Sequence, residues 1–203
     1  MSENAATHTG PHAAHHAALL QLARATLAHY LASGTVLPYE TADKWLSTPA
    51  AVFVTLRVRD PRAGGGPYGD GWVAGDLRGC IGHIDAERPL YAAVQDSAIK
   101  AAIADPRFYP VTAGELDNLV IEVSVLSPLR PVASLDEIEV GQDGLLIIGQ
   151  RRRGLLLPEV PLAYGWGKNE FLRALCQKAG LPEDVWPGAA TLYAFTTESF
   201  EER

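Results

Sequence analysis

One hexapeptide of the chain, LRGCIG around Cys80, combines residue types that could carry out chemistry. Cys80 is a candidate nucleophile, because a nearby cation or a cluster of backbone N–H groups lowers the pKa of a thiol. Arg78 is the candidate cation, while Gly79 and Gly82 allow the backbone to direct its N–H groups at an anion or an oxyanion. His83, three residues after Cys80, is the nearest candidate base. These groups together would suit acyl or thioester chemistry.

The same hexapeptide, residues 77–82, allows two interpretations without a reactive thiol. Its donors could bind a small anionic ligand or a segment of a partner protein, and the chain shows no matched base with an acidic partner for Cys80. Alternatively, the two glycines serve a tight bend or close packing, and Cys80 is a small buried side chain. We favour binding over catalysis and assign the binding role to Arg78, Gly79, Cys80, Ile81, Gly82 and His83.

Two residues outside the hexapeptide are further candidates for the binding site. Arg107, in the stretch DPRF, could reach towards a cleft, although the same letters also suit a helix stop followed by an apolar anchor. Trp166 lies in a loop between two glycines, where it could stack on a ligand or anchor the loop on a core. Cys176 differs from Cys80, because it lies on the apolar face of a predicted helix and belongs to the core.

The sequence predicts neither a cofactor nor a metal site. His12, His15 and His16 have helical spacing, but they lie in an alanine-rich stretch where metal binding would be adventitious. The two cysteines form neither a disulfide framework nor a zinc-binding Cys-x-x-Cys pattern. The glycine run at 64–66 is followed by no Gly-Lys-Ser/Thr, so it is not a phosphate-binding loop.

Composition excludes several classes of protein. The chain has 203 residues, 47% of them hydrophobic, and a formal net charge of −7, which disfavours nucleic-acid binding. The basic triplet at 151–153 is too short to change this and is predicted to be a solvated turn. The apolar stretch from Ala17 to Ala32 is interrupted by polar residues and is too short for a membrane span. Unpaired cysteines favour the reducing cytoplasm.

The elements that must position the candidate residues are strands and helices in mixed order. Residues 1–16 are predicted to be a flexible tail, and residues 17–203 form the domain. Hairpins outnumber clear βαβ units, so the fold class is α+β with a largely antiparallel sheet. Periodicity predicts strands over 51–58, 72–80, 118–127 and 191–200, two short strands around the turn at 149–154, and helices over 17–33, 88–104 and 168–179.

The hexapeptide also resembles the signature of the AMMECR domain family, whose bacterial members are called AmmeMemoRadiSam system protein A. The blocks at 98–132, 144–161 and 165–186 are similar to the same family in the same order. The resemblance implies a cytosolic α+β protein of two unequal lobes, with a cleft at the hexapeptide. It also implies a link to a Memo-like protein and a radical SAM enzyme, but no settled activity. His83 departs from the small or hydroxyl residue that the family favours there.

Residues and resemblance together predict an accessory or binding protein. Its ligand would be a small anionic group or a partner such as the Memo-like protein or the radical SAM enzyme, and neither nucleic acid nor membrane is expected. The alternative is a cysteine-dependent transferase or hydrolase that uses Cys80 as its nucleophile.

Overall fold

The structure is a computed structural model that describes residues 12–59 and 74–202. These residues form helices and antiparallel strands, which confirms the α+β fold class. The glycine run at 64–66 and residues 1–11 of the predicted tail lie outside the described residues. The helices are α1 (Ala13–Ser33), α2 (Lys44–Ser47), α3 (Leu90–Ile103), α4 (Glu159–Tyr164) and α5 (Lys168–Ala179), and the strands are β1 (Val52–Arg59), β2 (Ala74–His83), β3 (Leu119–Leu126), β4 (Arg130–Pro131), β5 (Gly144–Gly149), β6 (Arg152–Leu156), β7 (Ala190–Phe195) and β8 (Thr197–Glu201).

The described chain divides into two compact units of unequal size. The first unit contains the described residues up to Val125 and those from Ser199 onward. Its sheet has the strand order β2-β1-β3-β8, and β1 pairs antiparallel with both β2 and β3. Helices α1 and α3 pack together, and α3 covers β1 and β2. Apolar side chains from these elements form the first core, among them Leu19, Leu27, Val54, Leu56, Val94 and Ile121.

The second unit, Leu126–Glu198, has its own sheet and its own core. Its strand order is β4-β7-β5-β6, and helix α5 packs on β5 and β6. The apolar face of α5 is buried, and this packing stabilises the helix that the amphipathic pattern predicted. The helix ends at Gly180, which takes the left-handed conformation with φ 66° that glycine adopts readily.

Several predicted elements have different bounds in the structure. Strand β2 continues to His83 rather than ending at Cys80, and β6 begins at Arg152, inside the predicted turn. Helix α1 begins at Ala13 rather than Ala17, so the last residues of the predicted tail are helical. The predicted final strand over 191–200 is two strands, because β7 pairs in the second sheet and β8 in the first. The alternation of apolar and polar residues continues through Thr196, so the sequence pattern does not mark the boundary. The two elements are separate because they pair with strands of different sheets.

Candidate functional site

The hexapeptide lies on β2, whose pairing decides which side chains share a face. Cys80 lies opposite Thr55 of β1, and His83 lies opposite Val52. Because side chains alternate along a strand, Cys80 and His83 point to opposite faces of the sheet. His83 is on the α3 face, where its Nε2 is hydrogen-bonded to Asp96 Oδ2. The structure therefore does not bring the predicted base to the Cys80 thiol.

The Cys80 thiol lies in a mostly buried environment with one direct polar partner. Thr55 Oγ1 donates a hydrogen bond to Cys80 Sγ at 3.2 Å. Burial raises the pKa of this thiol, an effect that the Thr55 hydrogen bond and the positive charge of Arg107 oppose only in part. The negative charges of Glu122 and Asp105 raise the pKa further. A reactive cysteine needs the opposite shift, so this environment favours the neutral thiol.

Asp105 links the backbone of the hexapeptide to Arg107. Its side chain is only 2% exposed, and its Oδ2 accepts a hydrogen bond from the backbone N–H of Cys80 at 2.8 Å. The Arg107 guanidinium donates to both carboxylate oxygens, from Nε at 2.9 Å and from Nη2 at 2.7 Å. These hydrogen bonds from Arg107 hold the pKa of Asp105 far below its usual range. The backbone N–H of Cys80 therefore already donates its hydrogen bond to a carboxylate of the protein itself.

The charges that shift the pKa of the Cys80 thiol are those of Arg107, Glu122 and Asp105, so Arg78 does not have its predicted role as the cation of Cys80. It sits at a bulge in β2, and its side chain is only 15% exposed. Its Nε donates to Glu115 Oε1 at 3.0 Å, and its Nη1 donates to the backbone carbonyl of Tyr109 at 2.8 Å. The cation near Cys80 is instead Arg107, whose Nη2 lies 3.5 Å from the Cys80 carbonyl oxygen.

The glycines of the hexapeptide permit close packing rather than an unusual backbone. A Cβ on Gly79 would lie 2.1 Å from the backbone oxygen of Ala101 in α3. A Cβ on Gly82 would lie 2.4 Å from the ring of Phe53 on the neighbouring strand. Both glycines lie within the paired strand β2, and neither has a positive φ. The predicted concavity of successive N–H groups is therefore not formed here.

The remaining predicted site residues have separate surroundings. Ile81 packs against the first core. Trp166 belongs to the second unit, where it packs against the second core and stacks on Tyr164 with a 4.6 Å centroid separation. Cys176 is 0% exposed and lies in the second core, as predicted.

Three residues that hold the hexapeptide in place were not among the predicted site residues. Asp105, Tyr109 and Glu115 all follow α3 in the chain and contact β2 through long-range hydrogen bonds. A local signal existed for one of them, since an aspartate two residues before an arginine can pair with it. The approach of this segment to β2 is tertiary and left no mark in the sequence pattern.

Among the residues that the structure describes, no group of three or more His, Cys, Asp or Glu side chains is arranged to hold a metal ion. The described helices also include none with the length and apolar character needed to cross a bilayer.

Comparison with known proteins fits this architecture. A family model described as AMMECR1 matches residues 20–200. The chain belongs to the AMMECR1 family. Protein MJ0810 of Methanocaldococcus jannaschii is 40% identical over 190 residues, which cover 90% of this chain and 88% of that protein. A Thermococcus gammatolerans protein is 44% identical over 192 residues, covering 91% of this chain and 88% of its own length.

A solved AMMECR1-type structure has the same fold. The crystal structure of the uncharacterized protein PH0010 from Pyrococcus horikoshii superposes with a TM-score of 0.78 at 40% sequence identity. The match covers 91% of this chain and 90% of that one. Membership of the AMMECR1 family thus confirms the predicted resemblance and the α+β fold, while the cleft at the hexapeptide stays a prediction.

Proposed function

We propose that this chain is a cytoplasmic accessory protein that binds a partner protein, with the hexapeptide as the scaffold of its binding surface. One observation carries the proposal: the polar groups of the hexapeptide hold the segment that follows α3. The Cys80 N–H binds Asp105, and the Arg78 guanidinium binds the Tyr109 carbonyl and Glu115. A motif whose hydrogen bonds hold a neighbouring loop in one position can preorganise that loop for recognition.

The same contacts argue against a small anion as the ligand of the hexapeptide. An anion would need free donors, and here Asp105 and Glu115 already supply the carboxylates that Cys80 and Arg78 bind. A further anion would have to displace a buried carboxylate that Arg107 also holds. Of the two ligands that the sequence left open, a segment of a partner protein therefore fits better.

The alternative, a cysteine-dependent enzyme, needs Cys80 as a nucleophile with a base in reach. The structure gives the thiol a raised pKa and a hydrogen bond from Thr55. The imidazole of His83 lies on the other face of the sheet and is bound to Asp96. A transferase or hydrolase would have to recruit its base from elsewhere, so we keep this function as the second candidate.

The family resemblance suggests the partners to test, a Memo-like protein and a radical SAM enzyme from the same organism. Each purified protein would be immobilised, and binding of the wild-type chain, Cys80→Ala and Asp105→Asn would be measured by biolayer interferometry. We expect the wild type and Cys80→Ala to bind at least one of them equally, and Asp105→Asn to weaken binding because its loop loses its anchor. Asp184→Asn, at an exposed position in the second unit, is the matched control.

Two results would count against the proposal. If the wild-type chain bound neither protein, the accessory role would have to be abandoned. If the assembled system turned over a substrate and Cys80→Ser abolished that turnover with a covalent adduct visible on Cys80 of the wild type, the enzyme alternative would replace it.

A further inference from the structure

The segment 103–110, which we call the recognition loop, exposes an unusual set of side chains. Tyr109 is 89% exposed, the highest value among the exposed large hydrophobic residues of the described chain. Arg107 is the one exposed charged side chain in the loop, because Asp105 is buried. Protein interfaces are enriched in tyrosine and arginine and depleted in lysine and glutamate. The exposed residues of the loop are Ile103, Ala104, Pro106, Arg107, Tyr109 and Pro110.

The backbone of the recognition loop is fixed although its side chains face solvent. Arg78 holds the carbonyl of Tyr109 at 2.8 Å, and the N–H of Val111 donates to the carbonyl of Ala102 at 2.8 Å. The N–H of Phe108 closes the turn on the carbonyl of Asp105 at 3.2 Å. A loop that is already ordered loses little conformational entropy on binding, so its exposed anchors are preorganised.

In the recognition loop, the positive charge of Arg107 faces solvent and the negative charge of Asp105 is buried. The Arg107 side chain is 53% exposed, whereas its counter-ion Asp105 is 2% exposed and lies beneath it. Nε and Nη2 of Arg107 bind Asp105, and Nη1 has no hydrogen-bond partner among the described residues. The guanidinium also lies 5.4 Å from the ring centroid of Phe108, which restricts its motion. An oriented guanidinium with a free N–H edge is suited to a carboxylate.

We propose that the recognition loop docks an acidic segment of the partner protein. A carboxylate of that segment accepts hydrogen bonds from Arg107 Nη1, and an adjacent apolar side chain covers the ring of Tyr109. The inference rests on the proposed function and adds to it the place of docking and the chemistry of the docked segment.

The first test repeats the binding measurement, on the partner that the wild type binds, with Arg107→Gln and Tyr109→Ser. Each substitution should weaken binding by roughly tenfold or more, as expected for an interface anchor. Tyr109→Ser should leave folding intact, because the ring is exposed and only the backbone carbonyl of Tyr109 is bonded. Arg173→Gln is the matched control, since Arg173 is 54% exposed and pairs with Glu183 at 3.1 Å.

A second test identifies the chemistry of the docked segment without any known partner. A phage library of random dodecapeptides would be selected on the wild-type chain, and synthetic versions of the enriched peptides would be titrated by fluorescence anisotropy. We expect an Asp or Glu next to an aromatic or aliphatic residue, and a loss of affinity when that acid is changed to its amide. Arg107→Gln should bind the acidic peptide and its amide version with the same low affinity, because it lacks the guanidinium that the acid contacts.

The outcomes separate this inference from the proposed function. If the partner binds the wild type and both loop variants equally, docking lies elsewhere and only the inference fails. Enriched peptides without a carboxylate, or no enrichment at all, would also overturn it. If the wild type binds no partner while the selected peptides behave as expected, the accessory role in that system fails and the docking chemistry stands.

Discussion

At the scale of the residue, Cys80 takes part through its backbone N–H rather than through the thiol that the sequence singled out, and Asp105, which the sequence did not single out, accepts that N–H. Cys80 contributes a backbone N–H that is bonded at 2.8 Å, and the carboxylate that receives it belongs to a residue outside the hexapeptide. An ionised carboxylate accepts hydrogen bonds strongly, so the Cys80–Asp105–Arg107 chain orders the loop whether or not the thiol reacts. Each of these two residues yields a measurable prediction.

The alkylation of Cys80 by iodoacetamide should behave as that of an ordinary or weakly reactive thiol. Because burial raises the pKa of Cys80 above the usual ~8.5, we expect the rate to be low at pH 7 and to keep rising above pH 8.5. Cys80→Ala supplies the background, since the fully buried Cys176 should not react in the folded protein. A rate that reached its plateau below pH 7 would contradict this prediction and favour the enzyme alternative.

Asp105→Asn should lower the free energy of unfolding by about 1–3 kcal/mol at pH 7, because hydrogen bonds to a charged group are lost. The pKa of Asp105 is lower in the folded chain than its unfolded value of ~3.9, so its stabilisation is present above that value and is lost as pH falls. The difference between wild type and variant should therefore shrink from pH 7 to pH 3, as measured by urea unfolding. Asp184→Asn should change stability by less than about 0.5 kcal/mol at either pH; an equal loss in both variants would contradict the prediction.

At the scale of the element, each unit has a helix that packs closely on a strand at a glycine of that strand. In the first unit, Gly79 of β2 faces the backbone of Ala101 in α3. In the second unit, Gly154 of β6 faces Ala179 of α5, and a Cβ there would lie 2.8 Å from the Ala179 Cβ. Removing the Cβ lets the helix backbone settle on the strand, so these glycines serve packing. In β2, the same close approach brings the end of α3, and with it Asp105, to the hexapeptide.

Gly79→Ala should lower the free energy of unfolding by at least about 1–3 kcal/mol, because backbone atoms on α3 cannot yield as a flexible side chain would. Chemical denaturation followed by circular dichroism measures the change. Gly114→Ala is the matched control, since nothing lies within 4 Å of a Cβ there and its φ is not positive. If both variants were equally stable, the close approach of α3 to β2 would not be the reason for Gly79.

At the scale of the whole molecule, the end of the chain returns to the first unit. Strand β7 lies between β4 and β5 in the second sheet, whereas β8 forms the edge of the first sheet beside β3. Glu202 then accepts hydrogen bonds from Arg24 of α1 and from the N–H of Ile121 at 2.9 Å. Arg24 also donates to the carbonyls of Leu116 and Leu119 at 2.8 Å each. One guanidinium thus ties the first helix, the segment before β3 and the C-terminal strand together.

Arg24→Ala should lower the free energy of unfolding by about 2 kcal/mol or more, because the Glu202 carboxylate loses its charged partner and the carbonyls of Leu116 and Leu119 lose the guanidinium as a donor. Arg173→Ala removes an ion pair whose side chains are both 54% exposed, and it should cost less than about 1 kcal/mol. Thermal and urea unfolding would compare the two variants with the wild type. Equal losses would show that the Arg24 cluster behaves as an exposed ion pair.

The local elements and the region of interest can be read from the sequence. Helical and alternating patterns predicted α3, α5, β3 and the β1–β2 hairpin, because these periodicities follow from the geometry of each element alone. The hexapeptide singled out β2, and the excess of hairpins over βαβ units, together with the family resemblance, predicted the fold class. The interpretation of Gly79 and Gly82 as packing residues was also open in the sequence and is the one that the contacts support.

Which groups meet depends on the tertiary structure. A strand fixes the alternation of its side chains, but remote partners decide what each face contacts, so His83 met Asp96 of α3 instead of Cys80. In the same way Arg78 paired with Glu115, and Asp105 reached the Cys80 N–H across 25 positions of the chain. The last predicted strand is divided into β7 and β8 for the same reason. Its two halves form hydrogen bonds with strands of two different sheets, and the sequence of the segment does not specify those strands.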